Sequence, residues 1–266
     1  QQYNYLIFCY TIGIPYSLSS GRKTRSRDRV FYFSILNIRI KIMIENLPIW
    51  IDLTFIFTFV LTIILFYFSN GEPKKLTLFI IVWSIMQSIL AYIGFYQNTD
   101  SIPPRFGLVL IPITSLIIYG LLPRQHKWFS ETRQIKISTF LHSVRIPVEI
   151  VLFGLFINDM IPELMTFEGR NYDILVGITA PIVGWLFLKE KISKKILIGW
   201  NIIGLFFVVF IFFNGMLSAE LPFQQFGFVQ PNRAVNYFPY VLLPATIAPI
   251  VIWTHISDII KLRKEI

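Results

Sequence analysis

The sequence predicts an all-α protein, a seven-helix transmembrane bundle with its amino terminus outside and its carboxyl terminus cytoplasmic. Three observations lead there. Apolar residues make up 55% of the chain and charged residues only 15%, where a soluble domain carries about 25%. Seven long apolar segments recur along it, and the basic residues between them fall on alternate loops. A span needs about 20 mostly apolar residues to cross roughly 30 Å of hydrocarbon. In lipid it must be helical, because unpaired backbone groups find no water there.

In order, the predicted spans are Ile51–Ser69, Leu76–Tyr96, Phe106–Leu122, Thr139–Asn158, Tyr172–Leu188, Ile196–Leu217 and Tyr237–Ile256. Pro112, Pro147, Pro181, Pro239, Pro244 and Pro249 lie in them or at their edges. Such prolines free carbonyls and permit bends where neighbours satisfy the freed groups. Span seven holds three of them and is expected to be the least regular.

The loops orient the bundle. After spans one, three, five and seven come thirteen basic residues: Lys74 and Lys75; Arg124, Lys127, Arg133 and Lys136; Lys189, Lys191, Lys194 and Lys195; Lys261, Arg263 and Lys264. The other three loops carry Arg105, Arg170 and Arg233. Lys and Arg are retained on the cytoplasmic side, so the carboxyl terminus is placed inside and the start of span one outside. Trp50, Tyr96, Tyr172 and Tyr237 fall at the outer edges, and Tyr67, Tyr119, Trp185, Trp200 and Trp253 toward the inner ones, as amphipathic rings prefer. Trp83 is the exception and is expected to pack inside the bundle.

Residues 1–42 break this pattern. They hold Arg22, Lys23, Arg25, Arg27, Arg29, Arg39 and Lys41 against one acid, Asp28, and so supply +6 of the formal +9. A basic segment before an outward-starting span contradicts the charge rule. In a signal peptide the basic region precedes the apolar one, whereas here Tyr5–Leu18 precedes the basic run. The preferred reading takes Met43 as initiator, leaving 43–266 as a single seven-span domain. The alternative is a disordered basic tail that meets anionic lipid or nucleic acid; if cytoplasmic, it would bring an eighth span at Tyr5–Leu18 and invert the map. With Met43 first, the partner is the lipid bilayer, with no nucleic acid, and protein partners are left open.

Polar residues inside the spans mark two candidate sites. In span four, His142, Arg145 and Glu149 share one helical face by their spacings of three and four. A charge at mid-membrane is expensive and faces the bundle interior, where it pairs; Arg145 can reach Glu149 one turn away. Two readings stand: a proton or substrate relay, or an internal ion pair that orients the span. Pro147 between them removes a backbone donor and can bend the helix.

The second candidate is on the outer face. Arg105, Arg170 and Arg233 each precede a helix amino terminus, with Glu168, Asp173, Asn171 and Asn232 nearby. Helix amino termini favour anions, so a cation there calls for an intervening anion. The group reads as a vestibule for a small polar, anionic or zwitterionic ligand, or as arginines reaching lipid phosphates.

No cofactor is expected. The single Cys9 supplies no thiolate metal site, and His126, His142 and His255 lack short paired spacing. No nucleophile and base stand at a recognisable interval, which disfavours an enzyme. Span seven contains no lysine, unlike microbial rhodopsins. Leu122-Pro-Arg-Gln and Pro239-Tyr-Val-Leu-Leu-Pro244 do not match the signatures of animal receptors.

Two stretches, Phe167-Glu-Gly-Arg-Asn-Tyr-Asp-Ile-Leu-Val-Gly-Ile-Thr-Ala-Pro181 and Phe223-Gln-Gln-Phe-Gly-Phe-Val-Gln-Pro-Asn232 with Tyr237-Phe-Pro239, carry a resemblance. From Met43 onward the chain resembles uncharacterised multi-pass membrane proteins of Bacteroidetes-type bacteria. The resemblance implies the bacterial inner membrane and no particular activity. Two function classes follow: a small permease-like transporter, or a sensor, accessory or structural subunit without a substrate. A transporter should place Glu149 beside polar groups of other spans, such as Gln87, Asn201 or Asn214.

Overall fold

A computed structural model describes residue 44 and residues 46–122 and 131–266. The leader 1–42, Met43, Arg124, His126 and Lys127 lie outside the described residues. Among the described residues the protein is all-helical, with no strand. The helices are α1 (Ile49–Ser69), α2 (Lys74–Tyr92), α3 (Gly107–Leu121), α4 (Ile135–Leu141), α5 (Arg145–Phe156), α6 (Asp173–Leu188), α7 (Lys194–Leu217) and α8 (Ala248–Lys264).

Each of the seven apolar segments contains helix, and five helices are long and apolar enough to cross a membrane: 49–69, 74–92, 135–156, 194–217 and 243–264. The fourth joins α4 to α5 through a 3-10 turn, His142–Val144. That tightening lies just upstream of Pro147, which has no N–H to offer the carbonyl of Ser143. α6 has 16 residues, about 24 Å of helix at 1.5 Å per residue. The chain before it, 157–172, folds back against the protein. Thr166 N donates to Glu163 O at 2.8 Å, and Asn171 N to Thr166 O at 3.1 Å. A Cβ on Gly169 would lie 2.3 Å from Glu163 O, so this tight return requires glycine.

The last helix differs most from its predicted bounds. Residues 237–242 are not α-helical; a π turn at Leu243–Ile247 leads into α8, which runs on to Lys264. Proline explains the irregular start. The carbonyl of Ala245 lies four residues before Pro249, which has no N–H to give it. It accepts instead from Trp83 Nε1 at 3.1 Å, so the aromatic that broke the interface pattern is bound to the interior.

Burial sorts the helices. In 243–264, 72% of the most apolar window is buried, and in 135–156, 56%, against 22–33% in the other three long helices. α8 packs chiefly on α7, α1 on α4 and α5, and α6 on α4, α5 and α7. The peripheral helices turn large apolar side chains outward; Phe57 is 64% exposed and Phe206 62%. Arg133, His142, Arg145, Glu149, His255 and Asp258 are meanwhile buried. Apolar outside and polar inside inverts the soluble pattern, and exposed apolar surface on this scale marks contact with a membrane or another protein.

Candidate functional site

Two polar clusters occupy the core, and they differ in kind. The first is saturated. Arg133 Nε donates to Asp258 Oδ1 at 2.5 Å, Nη1 to Asn70 Oδ1 at 2.7 Å and Nη2 to Thr254 O at 3.1 Å. Ser138 Oγ donates to Asp258 Oδ2 at 2.7 Å, and Lys261 Nζ to Arg133 O at 2.7 Å. These bonds tie the end of α1, the start of α4 and the last turns of α8 together. Neither side chain of the ion pair is exposed to solvent. The arrangement is a clamp: every guanidinium nitrogen and both carboxylate oxygens are engaged within the protein.

The second cluster is left incomplete. Arg145 Nη1 donates to Asp173 Oδ1 at 2.7 Å, and Nη2 to His255 Nε2 at 2.6 Å. That lone pair must sit on Nε2, so the ring proton is assigned to Nδ1, which donates to Asn201 Oδ1 at 2.8 Å. His142 stacks on His255 with ring centroids 3.8 Å apart, and Trp200 meets His142 edge-on at 5.5 Å. Close packing makes this approach possible. A Cβ on Gly204 would fall 2.4 Å from His255 Cε1, so α7 can lie this near α8 only through glycine.

Asn171 joins the two carboxylates. Its Nδ2 donates to Glu149 Oε1 and, at 3.1 Å, to Met165 O. Its Oδ1 accepts from Asp173 N at 3.1 Å, an Asx-type turn that satisfies a free N–H at the start of α6. The Asp173 carboxylate also suits that helix end. Five buried atoms here have no hydrogen-bond partner: both ring nitrogens of His142, and Glu149 Oε2, Arg145 Nε and Asn232 Oδ1. The last three residues, unlike His142, line a cavity of about 80 Å³ with Asn171 and Asp173. Val148, Leu152, Val208, Ile211 and Leu243 supply apolar wall.

The candidates drawn from sequence therefore regroup. Arg145 and Glu149 come together with Asn171, Asp173 and Asn232 from the outer-face set. Arg145 forms its ion pair with Asp173, 28 residues on, and not with Glu149 one turn away. His142 shares the cluster through its stack on His255 but not the cavity. The remaining outer residues are dispersed. Arg105 donates to Phe95 O at 3.2 Å and lies over that ring; Arg170 lies over Phe226; Arg233 pairs with Glu220 at 2.8 Å; Glu168 is exposed. Gln87 accepts from Tyr96 and Asn214 Nδ2 donates to Phe210 O at 2.8 Å, so neither serves Glu149. Sequence reasoning missed His255 with Asn201, and Arg133 with Asp258. The available signal was a polar face on one helix, Thr254, His255, Asp258 and Lys261, the last two beyond the bounds set by hydropathy.

A family model described as a domain of unknown function, DUF8737, matches residues 103–263, more than half of the chain. The chain belongs to that family. The DUF8737 stretch contains α3 to α7, all of α8 but its last residue, both members of each buried ion pair, and every cavity-lining residue named above. Among the described residues, α1 and α2 lie before it. No curated protein and no solved structure matches the chain.

Proposed function

We propose that this is a multi-pass integral protein of a bacterial inner membrane that binds a small polar molecule within the bilayer, in the manner of a small permease. All seven helical segments span, with the carboxyl terminus cytoplasmic and the start of α1 outside. The alternation of basic loops supports this map, as do the outward apolar faces of the peripheral helices.

One observation carries the binding reading. Buried polar groups are normally satisfied, yet three unpartnered polar atoms belong to residues around one cavity. Glu149 and Asn232 are 1% exposed and Arg145 2%. A static subunit has no use for a half-satisfied network in its core, which is worse than an apolar one. A ligand or water that completes the network gives it a purpose.

Cysteine accessibility tests the reading. In a Cys9→Ser protein, Met216→Cys, on the cavity wall, should react with a small hydrophilic thiol reagent added to membranes. Leu141→Cys, fully buried, should not. Equal, negligible labelling at both positions contradicts a cavity open to small molecules and favours the substrate-free subunit.

A further inference from the structure

The chemistry around the cavity indicates what it takes, given the binding reading above. Its lining includes two carboxylates, Glu149 and Asp173, and one guanidinium, Arg145. Arg145 is committed to Asp173 at 2.7 Å and to His255 at 2.6 Å. That pair is neutral, and His255 accepts through Nε2. Glu149 is then the carboxyl without an ion-paired cation, and its Oε2 has no hydrogen-bond partner.

Acceptors also outnumber donors among the unpartnered atoms of the cavity-lining residues. The amide of Asn232 is fixed in orientation because Nδ2 donates to Gly215 O at 3.0 Å, which leaves Oδ1 as the free atom. Asn171 is saturated, with Nδ2 on Glu149 and Met165 O and Oδ1 on Asp173 N. What remains is two free oxygens and one N–H, Arg145 Nε. A ligand whose head donates several hydrogen bonds and carries positive charge completes this set. A carboxylate head would meet Glu149 and Asp173, and Arg145, whose charge is paired with Asp173, would offer it only Nε–H.

The rest of the lining is aliphatic, from Val148, Leu152, Val208, Ile211 and Leu243. The volume is about 80 Å³, where an apolar cavity of about 150 Å³ admits benzene. A head with a tail of about three carbons is the matching size.

We propose that the cavity binds a small primary ammonium compound with a short apolar tail, its head between Glu149 Oε2 and Asn232 Oδ1. This favours a cation over the anion that the outer arginines suggested. The geometry also assigns Glu149 as the counter-ion and Asn232 as the orienting acceptor.

The test uses the full chain in detergent at neutral pH, with n-propylamine, propionate and 1-propanol as probes of equal length and different head. Binding is read as a concentration-dependent rise in melting temperature. n-Propylamine should raise it, and propionate should not. Glu149→Gln should bind n-propylamine at least about thirtyfold more weakly, the lower end for removing a buried charge partner. Ile211→Phe, which fills the apolar end, should also abolish the shift; it keeps the experiment decisive if Glu149→Gln does not fold. A larger shift with propionate or 1-propanol, or n-propylamine binding that survives both variants, overturns the ammonium assignment and leaves a binding cavity standing. No shift with any probe, together with no labelling of Met216→Cys, overturns both.

Discussion

Replacing Asp258 with alanine removes the carboxylate from a guanidinium that has no route to water. In the native protein Asp258 accepts from Arg133 at 2.5 Å and from Ser138 at 2.7 Å. Arg133 is 1% exposed. After the change it retains only neutral acceptors, Asn70 Oδ1 and Thr254 O. Breaking a buried pair by deleting one partner destabilises by about 3–5 kcal/mol, because the survivor is an uncompensated buried charge. Replacing both partners with apolar residues of similar volume is often neutral. D258A should therefore lose about 3–5 kcal/mol, and R133M/D258L should lie within about 1 kcal/mol of the native protein. The assay is equilibrium unfolding in a mixed detergent of increasing denaturing fraction, followed by tryptophan fluorescence. The cycle completed by the single variants R133M and D258L isolates the coupling. A D258A protein as stable as the native one would refute the clamp. A double variant as damaged as D258A would show that the loss comes from packing and not from the orphaned charge.

Other perturbations follow from the same contacts. Gly204→Ala forces a Cβ to within 2.4 Å of His255 Cε1 and should destabilise by about 1–3 kcal/mol, as overpacking does. Gly199→Ala on the same helix, where nothing lies within 4 Å, should be neutral or stabilising by up to about 1 kcal/mol in the same unfolding assay. Tyr240→Phe removes the hydroxyl that donates to Asp52 Oδ1 at 2.6 Å; leaving that buried acceptor short should lower stability by about 1–3 kcal/mol, read as a lower melting temperature. Trp83→Phe deletes the N–H that serves Ala245 O and should cost about 1 kcal/mol of stability, with any larger loss pointing to the packing of the ring.

The helices were legible because each apolar run is long and the loops between them are short, so hydropathy alone locates them. Boundaries failed where a charge is neutralised from far away. Asp258 and Lys261 look like residues beyond a membrane helix, yet Arg133, 125 positions earlier, takes up Asp258. Arg145 shows the same limit in the site. Helical spacing can nominate only a partner one turn distant, Glu149, whereas the actual one is Asp173, brought close by the return of 157–172. The cavity residues Arg145, Glu149, Asn171, Asp173 and Asn232 stood out as polar groups in or beside apolar segments. That they form one site depends on the path of the loops, for which the sequence offers no periodic signal. His255 was hidden for a related reason: its partners Asn201 and Arg145 sit on two other helices.

The most direct test of the account is a topology map by paired reporter fusions, one fluorescent only in the cytoplasm and one active only outside it. Fusions after Gly71, after Glu131, after Lys191 and at the carboxyl terminus should report the cytoplasmic side. Fusions after Asn98, after Glu168 and after Gln225 should report the outer side, with Asn171 and Asn232 therefore approaching the cavity from outside. The same side reported by fusions flanking α3 or α6 would contradict a chain that crosses the bilayer seven times, and an external carboxyl terminus would invert the map.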